Sequence, residues 1–117
     1  NPLGCAAANA SLDLLEEMPE KYKQFEDRHR NHLALLAKHP KVKHPRLIGT
    51  IAAFDIDVDN EQGYLNPAGG IVKKKAISMG VYIRPLGQVV YLLPPLCLND
   101  SQLEQCYIAI EAGLNLL

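Results

Sequence analysis

The chain has 117 residues, a net charge of −1 and 48% hydrophobic residues, which suits one domain with its own core and excludes a disordered composition. No basic face is evident and no apolar run is long enough to span a bilayer, so neither nucleic acid nor a membrane is expected as the main partner. Three cysteines without a C-x-x-C pair (Cys5, Cys97 and Cys106) argue against a disulfide framework or zinc, and favour reduced thiols in a cytoplasmic protein.

The first element is an Ala- and Leu-rich helix over residues 2–17, with Asn1 as cap, Pro2 in its first turn and no charge before Asp13. Apolar nearly all round in its first half, it expects cover on several sides. A chain that opens directly on a helix cap is expected to be a piece of something longer. Met18-Pro19 restarts the helix, and Tyr22, Phe25, His29, Leu33 and Leu36 form one stripe of a second helix over residues 20–38. HPKVKHPR, with two prolines, is expected to be a connector.

RLIGTIAAFDID is expected to be one covered, central strand, with Ile48, Ala52, Phe54 and Ile56 on one side and Gly49, Ile51 and Ala53 on the other. A polar loop over 57–67 leads to a third helix over 68–79, with Ile71, Val72, Ala76 and Met79 on its apolar face and Gly80 as its stop. VYIRP and VVYLL flank Leu86-Gly87-Gln88 and predict a tight hairpin. Asn99 as cap, Gln102 three residues on, and the Leu98–Leu103 staple start the last helix, whose core face is Leu103, Tyr107, Ile110 and Leu114. The expected class is α+β in two layers: a small mixed or antiparallel sheet with helices on one face, in the order α-α-β-α-β-β-α.

Among candidate sites, DIDVDNEQGYLN puts Asp55, Asp57 and Asp59 at calcium-loop spacing, but Asn60 replaces the required glycine and Asn66 the closing glutamate, so a solvated loop is the better reading. His29 and His32 lack further ligands, so no metal is expected. Lys73-Lys74-Lys75 reads as the wet face of a helix. Arg84 stands out as the only charge between Gly80 and Pro95. It either pairs with an internal acid such as Asp55 or offers a bidentate fork to an anionic ligand, with Tyr91 adding a hydroxyl and an aromatic wall.

NPLGCAAANASLDLLEE resembles the helix that follows the active-site segment of class III (fold type I) aminotransferases, and GVYIRPLGQVVYLLPPLCLNDSQLEQ resembles the end of their biotin-pathway branch, with GTIAAFDI matching between them. Relatives that act on ornithine, acetylornithine or 4-aminobutyrate tend to carry arginine where Tyr91 stands. The resemblance implies an enzyme that uses pyridoxal 5′-phosphate to move an amino group from S-adenosylmethionine to 7-keto-8-aminopelargonate. It implies that Arg84 binds substrate carboxylate and that Tyr91 lines the same pocket. None of the eight lysines matches the family's catalytic one. Residues 1–117 are therefore expected to be the small C-terminal domain of a homodimeric enzyme, inactive alone and holding no cofactor or metal. Helix 1–17 is expected to pack on a missing large domain, and without it to self-associate or be disordered. The alternatives are another class III aminotransferase, a stand-alone ligand-binding module, or a dimerisation module.

Overall fold

Helix α1 spans Pro2–Glu17 and α2 spans Pro19–Leu36 in the computed structural model, which describes residues 1–58, 63 and 65–117 without the side chains of residues 21 and 22. The Asn1 side chain accepts a hydrogen bond from the Gly4 N–H at 3.3 Å, relieving one of the unpaired amides of the first turn. Not one residue of α1 is buried, and Leu3 is 82% exposed. In contrast, Phe25, His29, Leu33 and Leu36 of the expected α2 stripe are all buried; Tyr22, its first member, lies outside the described side chains.

The strand expected over RLIGTIAAFDID is two strands. β1 (Val42–Ile48) and β2 (Ile51–Ile56) form an antiparallel hairpin whose ends pair Ile48 with Ile51. Gly49 at φ +54° turns the chain, a conformation glycine adopts without strain. HPKVKHPR is therefore largely strand, not connector. Its prolines made it look unpairable, yet Pro45 sits beside His44 (φ 48°) where the register shifts between Lys43 and Arg46, on an edge strand where a missing N–H is tolerated.

α3 follows over Ala68–Ser78, with Val72 and Ala76 fully buried and Ile71 largely exposed, so the expected stripe is rotated toward Ala68 and Gly69. Gly80 at φ +80° ends it. β3 (Val89–Leu92) pairs antiparallel with β2, giving the order β1-β2-β3 with β2 central as expected. α4 spans Asp100–Leu114 behind the Asn99–Gln102 capping box, and buries Leu103, Tyr107, Ile110 and Leu114. The observed order is α-α-β-β-α-β-α, a three-stranded antiparallel sheet that shares its core with α2, α3 and α4 but not with α1.

The predicted arm VYIRP does not pair as a strand. Only Leu86 and Val89 meet, through two backbone bonds of 2.8 and 3.0 Å around Gly87-Gln88. The Val81 N–H is already taken by the Ala76 carbonyl at 2.9 Å, and Pro85 has no N–H to give. Side chains hold the arm instead. Val81 and Ile83 are buried in the core, while Tyr82 and Arg84 point out, so the predicted alternation survives without a ladder.

A fully buried imidazole ties three elements together. His29 Nε2 lies 3.1 Å from the Thr50 carbonyl and must donate to it, which leaves Nδ1 to accept from the Tyr107 hydroxyl at 2.7 Å. Burial lowers the His29 pKa from its ordinary value, with the nearby Arg28 and His32 acting in the same direction. His29 is a core residue, and no group of three metal-ligating side chains occurs among the described residues.

Candidate functional site

The splayed hairpin leaves a cleft of about 620 Å³ between residues 80–84, the end of β3 with residues 93–95, and the start of α4. Its walls include Val81, Ile83, Leu92, Leu93 and Leu98, and its polar groups come from Arg84, Tyr91, Ser101, Gln102 and Gln105. A volume of this size suits a small molecule with an apolar body.

Most of those polar groups are already committed. Ser101 Oγ donates to Asn99 Oδ1 at 2.8 Å, Gln102 Oε1 accepts from the Asn99 N–H at 3.0 Å, and Gln105 Nε2 reaches the Met79 carbonyl at 3.4 Å. Arg84 and Tyr91 are not: among the described residues neither side chain has a hydrogen bond or ion pair. Cys106 also lines the cleft, and burial raises its thiol pKa, keeping it neutral at physiological pH.

The internal pairing considered for Arg84 does not form, and Asp55 has other partners. Arg46 Nη2 donates to Asp55 Oδ1 at 2.8 Å and His44 Nδ1 lies 3.0 Å from Oδ2. Burial pushes the Asp55 carboxyl up, but these hydrogen bonds outweigh it and hold the pKa below its ordinary value. Asp57 meets Lys43 at 3.4 Å, so two of the three calcium-spaced aspartates have cationic partners; Asp59 and Asn60 lie outside the described residues.

Arg84 and Tyr91, the two residues expected from sequence, both line this cleft, whereas its α4 side has no counterpart in the sequence reading. Ser101, Gln102 and Gln105 were legible only as helix-start residues, since no local pattern says that this helix start faces the arm.

A model of the aminotransferase class-III family matches residues 1–114. The adenosylmethionine-8-amino-7-oxononanoate aminotransferase of Synechococcus elongatus is 53% identical over 110 residues, covering 94% of this chain and 26% of its own length. The crystal structure of the enzyme of that name from Methanocaldococcus jannaschii superposes with a TM-score of 0.87 at 26% identity, over 98% of this chain and 28% of the other. The omega-transferase of Vibrio fluvialis superposes at 0.83 with 27% identity, over 97% and 28%. The chain thus spans about a quarter of the length of these relatives.

Proposed function

The chain belongs to the class-III aminotransferases, and on that premise we propose that it is the substrate-carboxylate-binding small domain of a longer biotin-pathway aminotransferase. That enzyme transfers an amino group from S-adenosylmethionine to 7-keto-8-aminopelargonate. Both molecules carry a carboxylate and occupy the site in alternate half-reactions, so one guanidinium fork serves both. Arg84 receives the carboxylate, Tyr91 adds its hydroxyl and ring, and the apolar walls take the hydrocarbon chain of the acceptor.

The observation that carries this reading is the uncommitted Arg84 at the rim of an apolar cleft, while Asp55, the acid considered as its partner, is held by Arg46 and His44. The 53% identity with a relative of that name supports the choice of branch.

Pyridoxal 5′-phosphate supplies the electron sink in this family. The cleft does not fit the role of holding it: among the described residues no lysine lines it to bond the cofactor, and no carboxylate to pair its ring nitrogen. We assign those groups to the remainder of the longer protein, in keeping with the quarter-length span. The whole of residues 1–117 is then one small domain, α1 seats against the missing part, and the complete enzyme works as a cytoplasmic homodimer. No helix among the described residues is long and apolar enough to cross a membrane.

The test is Arg84→Ala in the full-length enzyme. Binding of both substrates should weaken by about 2–3 kcal/mol, the loss of a charge-assisted bond in a desolvated site, and Lys should restore only part of it. Unchanged steady-state kinetics for both substrates would remove Arg84 from the site.

A further inference from the structure

We infer that Gly69 is a positioning residue for Arg84, setting from beneath the turn where the guanidinium stands; this rests on the reading of Arg84 as the carboxylate anchor. Gly69 lies in the first turn of α3 and is buried. A Cβ built on it would fall 2.0 Å from the Gly87 carbonyl oxygen and 2.7 Å from Pro85 Cβ, far inside contact distance. Helix and turn therefore meet backbone against backbone, and the residue before Pro85 is Arg84 itself.

Neither side of this contact has slack. Behind α3 lies α4, and a Cβ on Gly113 would come 2.8 Å from Val72 Cα, so the two helices already touch along their backbones. The helix cannot retreat without opening the core around the fully buried Val72. The turn is held as well. Leu86 and Val89 exchange two bonds, the Gln88 carbonyl accepts from the Ile56 N–H at 2.8 Å, and Gly87 sits at φ +60°. A methyl group at position 69 must lift the turn by roughly 1 Å, because its other neighbours are close-packed. Arg84 has no hydrogen bond or ion pair among the described residues to keep it in place, so it moves with its backbone.

The experiment uses the full-length enzyme and two forms of the acceptor: 7-keto-8-aminopelargonate and its neutral carboxamide. Gly69→Ala should raise KM for the carboxylate roughly tenfold or more and leave KM for the carboxamide within about twofold, the signature of a displaced fork. Equal rises in both KM values, or a carboxylate preference kept at its original size, would make Gly69 a packing residue only. Arg84→Ala is run in parallel. If that variant keeps the carboxylate preference, the anchor reading itself fails, whatever Gly69→Ala does. Should Gly69→Ala not fold, Pro85→Gly removes the Cβ that meets α3, adds no heavy atom and loosens the turn on its seat. It should cut the carboxylate preference by about threefold, and an unchanged preference there would overturn the inference.

Discussion

His29 with Tyr107 and Arg84 with Tyr91 each bring a basic side chain and a tyrosine to one region of the molecule, and the two regions differ in one respect. His29 and Tyr107 are buried and close their own hydrogen bonds, one on the other and the remaining nitrogen on Thr50. Arg84 and Tyr91 line an open cleft, and both side chains are without partners among the described residues. The first arrangement is complete and can only be disturbed. The second is left incomplete by the fold, and an outside acceptor can complete it. Polar groups that a fold leaves unused beside an apolar wall are the better guide to a binding site than polar groups as such.

The contrast can be broken most forcefully at Tyr107. Tyr107→Phe removes the donor to His29 Nδ1 and leaves a buried acceptor unpaired, which should cost about 2 kcal/mol in a denaturant melt. A cost near zero would mean that the buried pair is not structural.

Acid should act on the same pair more gently. Because burial holds His29 below its ordinary pKa of 6.5, the unfolded chain takes up this proton before the folded chain does. Stability is then full above about pH 6.5 and falls as pH drops through the lowered folded value. The basic groups near the ring on its own helix are Arg28 and His32; from α4 it meets the Tyr107 phenol, whose own pKa is raised by burial, with Cys106 beside it. Protonation would add a charge beside two basic groups and turn Nδ1 into a second donor. Melting temperatures recorded between pH 7.5 and 5.5 should decline, and a flat profile would contradict the buried neutral ring. Asp55, held low by Arg46 and His44, titrates below that window.

The smallest effect is the sharpest contrast with Tyr107. Tyr91→Phe removes a hydroxyl without a partner among the described residues, so stability should change by less than about 0.5 kcal/mol. In the full-length enzyme the same variant should weaken substrate binding. A stability loss as large as that of Tyr107→Phe would erase the distinction between the two tyrosines.

Much of this was legible in the sequence wherever a local pattern carries its own physics. Asn1 with Pro2 placed the start of α1, and Asn99 with Gln102 placed that of α4, because caps are satisfied by side chains three residues away. The alternation Val81, Tyr82, Ile83, Arg84 gave the correct inward and outward faces. Boundaries decided by distant contacts were not legible. Gly49-Thr50 turns the chain inside an unbroken apolar run, and its tip is secured by Glu26 and His29 on another element. The α4 side of the cleft and the seat at Gly69 likewise exist only once remote segments meet.

The fastening of that tip reaches beyond the turn. Glu26 Oε2 accepts from the Gly49 N–H at 2.8 Å while His29 holds the Thr50 carbonyl, so both bonds are drawn from one face of α2. Sliding β1 by one residue against β2 would carry both groups away from their partners and turn the strand's buried side outward. α2 thus serves as a gauge of strand registration, checking the alignment of a hairpin whose own ladder is interrupted between Lys43 and Arg46.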